Sequence, residues 1–296
     1  MASASTRASV WVSGARPRTL PAAVVPVMLG AAVASRESPP AQVFAVNSVL
    51  ALIVSLALQV AVNYANDYSD GVRGTDAQRR GPQRLVASGA ASARAVKRAA
   101  FAAFAVAGVV GLVLASRTTW WLVALGAVCM VAGWTYTGGP RPYGYAGFGE
   151  LFVFVFFGLV ATVGTAYVSI ERVTRLGLAS GALAGFLAMA LLVVNNIRDI
   201  DTDRASGKRS LAVRLGDSRA RGLYVGCFAG AGLAVVVAAL DEPLALIGLV
   251  GLLVAAPAVS TVRRATTSAE LIAALGMTAR VQLVVGALFA LGLVIR

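Results

Sequence analysis

Apolar residues run along this chain in long blocks separated by short polar stretches, and nine blocks approach the length of a membrane span. A bilayer core of about 30 Å calls for about 20 apolar residues per helix. The blocks lie near 19–35, 43–66, 96–115, 119–136, 147–170, 176–197, 221–240, 243–262 and 271–294. Pro21 and Pro26 predict kinks in the first, where neighbouring helices re-satisfy the backbone groups that proline frees. Its basic flank, apolar core and small residues at Ala32 to Ala34 imitate a secretory signal. With eight more blocks behind it and a long basic segment from Arg7 to Arg18 in front, it is read as a retained helix. No stretch suggests a separate soluble domain, so residues 1–296 are expected to form one unit.

Composition agrees. The chain is 58% hydrophobic and 13% charged, against roughly 25% charged in soluble domains. It reads as an all-α integral membrane protein. With nine spans, the N-terminus and the long basic loops share one side, which carries all but five of the 26 lysines and arginines. The exceptions are Arg36, Arg117, Arg172, Arg175 and Arg296. Excess positive charge marks the cytoplasmic side, so the N-terminus is expected there, in a multi-pass protein of a bacterial plasma membrane. The net charge of +13 follows from this bias and from attraction to anionic lipid. Nucleic acid is not an expected partner, because no basic stretch is interleaved with aromatics or leads into a soluble module. Cys129 and Cys227 fall inside spans, which argues against a disulfide framework or a zinc site. With no histidine, Ser-His-Asp triads, HExxH metal sites and histidine proton relays are excluded.

The acidic residues carry the information. Only 13 exist, and six fall in two clusters: Asp67, Asp70 and Asp76, then Asp199, Asp201 and Asp203. Asn63, Asn66, Asp67 and Asp70 recur at i, i+3, i+4 and i+7, one face of a helix. Asn195, Asp199 and Asp203 recur at i, i+4 and i+8, with Asn196 beside them. Two polar stripes thus end the second and sixth spans on the same side. Carboxylates at a helix C-terminus oppose the macrodipole and repel one another a turn apart, so something positive should compensate. Carboxylate and amide oxygens suit magnesium, which commonly bridges one or two carboxylates to substrate phosphates. Glycine with arginine or lysine follows each stripe, including Arg73, Gly74 and Arg84 after the first and Arg198, Gly207, Lys208 and Arg209 around the second. Such side chains grip phosphate oxygens. One Asp-rich helix end before a basic loop would be read as a solvated terminus. Two of the same design, one in each half, point to a magnesium diphosphate at the mouth of a helical bundle and hint at internal duplication.

The stripes resemble the paired aspartate-rich motifs of the intramembrane aromatic prenyltransferases, the UbiA superfamily. The segments ARPRTLPAAVVPVMLG (15–30), GPQRLVASG (81–89), YTGGPRPYGYAGFGELFVFVFFG (136–158) and NNIRDIDTDRASGKRSLAVRLG (195–216) resemble the branch that prenylates 1,4-dihydroxy-2-naphthoate on the way to menaquinone. Against the family's NDxxDxxxD, Asn66, Asp67 and Asp70 fit, Gly74 stands where a third aspartate is expected, and Asp76 lies two residues on. Asp199 and Asp203 match the second motif, DxxxD; the role of Asp201 is open.

The resemblance implies about nine helices around a central cavity, capped on the cytoplasmic side by loops near 67–98 and 199–221. It implies two magnesium ions, with Asn66, Asp67, Asp70, Asp76, Asp199 and Asp203 as metal ligands, and Asp67, Asp70, Asp199 and Asp203 as the catalytic set. Polyprenyl diphosphate and 1,4-dihydroxy-2-naphthoate are the expected substrates. Arg73, Arg84, Arg198, Lys208 and Arg209 are candidate diphosphate contacts, and Asn63, Asn195 and Asn196 would assist. Tyr136, Tyr143 and Tyr145 would line the ring site or serve as interfacial anchors. Glu150 would bind the acceptor or satisfy a neighbouring helix. A different prenyl acceptor, such as 4-hydroxybenzoate, homogentisate or a sugar phosphate, is one alternative. A secondary transporter is another, disfavoured because the acids collect at one membrane face.

Overall fold

The structure is a computed structural model that describes residues 4–75 and 84–295. It is helical throughout, with no strand among the described residues. After α1 (Ala4–Gly14) come α2 (Pro21–Ser35), α3 (Ala41–Arg73), α4 (Ala93–Arg117), α5 (Trp121–Thr135), α6 (Gly149–Ile170) and α7 (Arg175–Arg198). Two short helices follow, α8 (Ile200–Ala205) and α9 (Leu211–Leu215), then α10 (Asp217–Ala239), α11 (Pro243–Leu252), α12 (Ala255–Arg264) and α13 (Ser268–Val294).

Among the described residues, six helices are long and apolar enough to cross a membrane, and up to eight spans result if each of two bent pairs counts as one. The expected fourth span is the 15-residue α5, shorter than the rest. The two bends have visible causes. The chain turns by 52° before Pro21, which takes the first helical position where its missing N–H costs nothing; α2 then continues through Pro26. The block expected at 243–262 breaks by 42° between α11 and α12. Pro257 there has no N–H for the carbonyl of Leu253, and its ring crowds that oxygen.

The interior is divided unequally. α7 is the most buried span, packed against α2, α6, α10 and α13. Leu183 and Leu187 on α7, Tyr224 on α10 and Phe289 on α13 belong to one large core. α6 approaches α7 backbone to backbone: a Cβ on Gly158 would lie 2.4 Å from the Gly185 Cα and 2.6 Å from the Gly181 carbonyl. The Phe154–Val160 stretch of α6 is wound as a π-helix at this crossing. The first half is thinner, with α3 packed mainly on α4 and a small core around Ala61, Leu85 and Phe104. Far from the polar stripes, Arg36 pairs with Glu242 at 2.7 Å, while Arg172 pairs with Glu37 and Arg175 with Asp241.

Candidate active site

At 33 residues, α3 is about 50 Å long, more than a bilayer core requires, and its polar residues are concentrated in its last turns. Asn63, Asn66, Asp67 and Asp70 are all buried on this end. The helix stops at Gly74, whose φ of 74° supplies the left-handed residue of a C-cap; Gly74 N–H donates to Gly71 O and Thr75 N–H to Asp70 O. That geometry explains glycine where the family pattern has aspartate. Asp76 lies outside the described residues. Both Asp67 oxygens accept backbone N–H bonds, from Leu85 at 2.9 Å and Val86 at 3.0 Å. Asn66 accepts from the Thr137 hydroxyl at 2.8 Å. Arg73 donates to the carbonyls of Thr137 and Gly139.

The second stripe is broken. α7 ends at Arg198, and Asp199, with φ −97° and ψ 6°, leaves the helix before α8 resumes. Asp203 N–H still bonds to Asp199 O, at 2.8 Å, so the two carboxylates remain on one side. Asp199 accepts a guanidinium fork from its neighbour Arg198, at 2.8 and 2.7 Å. The Lys208 ammonium is 3.4 Å from Asp203. Asp201, 97% exposed at its side chain, points to solvent beside Arg204. Burial raises the Asp203 carboxyl above its ordinary value; the Lys208 charge opposes that rise and the Asp199 charge adds to it.

Tyr145 joins the stripes. Its hydroxyl donates to Asp70 at 2.7 Å, its ring lies 5.4 Å from both the Arg73 guanidinium carbon and the Lys208 nitrogen, and its carbonyl accepts from Arg209 N–H at 3.1 Å. Burial raises the phenols of Tyr143 and Tyr145, and the Asp70 charge raises Tyr145 further, so both remain hydrogen-bond donors.

The stripes line one cavity of about 780 Å³. Asn63, Asn66, Asp67, Asp70, Arg84, Tyr136, Tyr143, Asn195, Asn196, Arg198, Asp199, Asp203 and Lys208 all reach it. Arg73, Tyr145, Glu150 and Arg209 are not on its wall. Glu150 lies behind, accepting from Asn196 at 2.9 Å. Tyr143 stacks on Phe152 with centroids 3.9 Å apart and meets Tyr136 at 5.4 Å. Away from the stripes the wall is apolar and includes Leu112, Leu125, Phe156 and Val160. Sequence reasoning assigned no role to Arg16, Arg18, Thr19 and Gln59, which also reach the cavity. Thr19 Oγ1 accepts from Gln59 at 2.9 Å and from Asn63 at 3.0 Å. Gln59 stands one turn before Asn63 on the same helix face, the signal that extends the stripe.

Magnesium fits this donor set in one form. The oxygens are hard ligands, and Asp203 Oδ2 is buried with only the Ser210 hydroxyl beside it. Yet no three acidic side chains among the described residues gather closely enough to close a metal site by themselves. The site suits a cation that draws its remaining ligands from a bound phosphate group and water.

Helical membrane architecture, two aspartate stripes and an apolar chamber between them define a class. The chain belongs to the UbiA prenyltransferase family, whose pattern matches residues 23–279. It is 50% identical over 274 residues to a 1,4-dihydroxy-2-naphthoate octaprenyltransferase of Mycobacterium tuberculosis, covering 93% of each chain. A 1,4-dihydroxy-2-naphthoate octaprenyltransferase of Escherichia coli is 36% identical, with 73% of this chain and 71% of that one covered. The fold is similar to that of a UbiA homolog from Aeropyrum pernix K1, with TM-score 0.67 and 19% identity over 91% of this chain and 96% of the other. A UbiA homolog from Archaeoglobus fulgidus, solved with DMAPP and Mg2+, gives TM-score 0.58 and 15% identity over 96% and 98%.

Proposed function

We propose that this protein transfers a polyprenyl group from polyprenyl diphosphate to 1,4-dihydroxy-2-naphthoate, releasing carbon dioxide and diphosphate and giving demethylmenaquinol. The observation that carries the reading is the meeting of both carboxylate stripes in one cavity that is otherwise lined largely by apolar side chains. The names of the relatives supply the acceptor. The reading takes α5 and each bent pair as a crossing, nine with the six long helices, and the excess of positive charge around the stripes supports a cytoplasmic position for them.

Asp67, Asp70, Asp199 and Asp203, with Asn66, would hold two magnesium ions against the diphosphate, and Asn195 or Asn196 would assist. Bound there, magnesium supplies Lewis-acid and electrostatic stabilisation of charge growing on the leaving group. Arg198 and Lys208 bind diphosphate oxygens, and Arg84 approaches from the segment that Asp67 holds. As the allylic C–O bond breaks, the apolar wall keeps water from the cation. The faces of Tyr136 and Tyr143 attract it. The naphthoate carbon bearing the carboxylate forms the new C–C bond, and loss of carbon dioxide restores aromaticity.

The test is a product assay in nanodiscs with a long-chain prenyl diphosphate and 1,4-dihydroxy-2-naphthoate, with magnesium present or chelated, read by mass spectrometry. A magnesium-dependent product with the mass of prenylated, decarboxylated naphthoquinol is expected. Intact protein that forms no product from this acceptor across several donors would overturn the reading.

A further inference from the structure

A second concavity, of about 390 Å³, lies on the outer face of the segment that follows the second stripe. Its wall is Arg204, Gly207, Lys208, Arg209, Val213 and Arg214, four cations with no acid. The backbone crowds them together. Gly207, at φ 78°, reverses the chain after α8, and Arg214 Nε donates to the Arg209 carbonyl at 3.2 Å. Arg214 also lies across Gly147, where an added Cβ would come within 2.8 Å of its Cδ. Compensation from the protein is thin. Arg204 is 3.8 Å from the exposed Asp201, a pairing worth little at a surface. Lys208 faces Asp203. Arg209 and Arg214 have no carboxylate partner among the described residues.

We propose that this concavity is a second anion site, for phosphate or diphosphate groups, back to back with the catalytic cavity. Guanidinium forks and an ammonium group are the donors that phosphate oxygens take, and like charges so close are relieved by an anion. Lys208 lies on the walls of both cavities. Resting on the reaction proposed above, the outer site receives the diphosphate that the inner one releases. It also gives Arg209, which the sequence suggested as a diphosphate contact but which stands off the inner wall, a position facing such an anion.

The experiment titrates inorganic diphosphate into the full chain in zwitterionic nanodiscs without magnesium, comparing wild type with the double variant Arg204→Gln/Arg214→Gln. Neither residue touches the inner cavity. Binding should weaken about tenfold or more, while magnesium-dependent binding of a prenyl thiodiphosphate stays within about twofold. Arg204→Lys/Arg214→Lys should recover much of the affinity, which separates charge from folding. Wild-type affinity in the Gln variant would overturn the proposal. In nanodiscs containing phosphatidylglycerol, loss of diphosphate binding would identify a lipid headgroup as the occupant, and retained binding a free anion; both support the site. Arginine-dependent binding in a protein that transfers no prenyl group would sustain the anion site and sink the catalytic reading. Normal transfer with binding indifferent to the arginines would do the reverse.

Discussion

The two carboxylate stripes look alike in sequence and are held differently. On α3, Asp67 and Asp70 are bonded by neutral donors: two backbone N–H groups and a tyrosine hydroxyl. Around the end of α7, Asp199 and Asp203 face cations, the Arg198 guanidinium and the Lys208 ammonium. Neutral donors orient a carboxylate and leave its charge uncancelled, whereas a cation cancels it. On the proposed mechanism both stripes hold magnesium, and the second also brings the positive groups that diphosphate needs. Their surroundings differ in the same sense. The first stripe rises from a thinly packed half that opens onto the cavity, the second from the most buried helix of the fold.

The strongest way to break this comparison is kinetic. Asp70→Ala and Asp199→Ala should each lower kcat on the order of 10³-fold in the product assay; near-normal turnover in either would remove its stripe from the mechanism. Next is Arg198→Leu, which removes the guanidinium fork from the buried Asp199 carboxylate. A loss of about 3–5 kcal/mol is expected in unfolding measured in detergent, and a smaller loss of about 1.5–3 kcal/mol is expected when Tyr145→Phe takes one neutral donor from Asp70.

A smaller effect separates anchoring from charge. Asp67→Asn keeps one acceptor oxygen for two N–H donors, so it should lose about 1.5–3 kcal/mol and expose residues 84–91 to faster proteolysis. The last test compares the two halves through their glycines. Gly158→Ala drives a methyl into the Gly185 backbone and should cost about 1–3 kcal/mol. Gly126→Ala meets nothing within 4 Å and should stay within about 0.5 kcal/mol. Gly126→Leu, by filling the apolar wall, should lower turnover of long prenyl donors more than of short ones.

Much of this was legible in the chain before its fold. The polar stripe on α3 followed from helical spacing, and Asn63, Asn66, Asp67 and Asp70 are buried together on it. The resemblance to the prenyltransferases agrees with the family to which the chain belongs. Other expectations gained their detail only in space. The nine blocks appear as six long helices, two bent pairs and the shorter α5. Arg73 grips loop carbonyls, Tyr145 stands between the stripes, and Glu150 backs Asn196 from behind the wall. Asp201, left open by its spacing, faces solvent.

The sequence by itself determined the helical membrane class, the two stripes and the oxygen-rich chemistry between them. Block length and spacing of three or four residues are local properties that a helix converts directly into spans and faces. Only the tertiary structure decided which of those groups share a cavity and which hold the scaffold. The bonding of the first stripe depends on partners distant in sequence, Leu85 for Asp67 and Tyr145 for Asp70, and that of Asp199 on a break in the helix that lets its neighbour Arg198 fold back onto it. Periodicity sets the direction in which a side chain leaves its helix, but what it meets there is set by packing among distant segments.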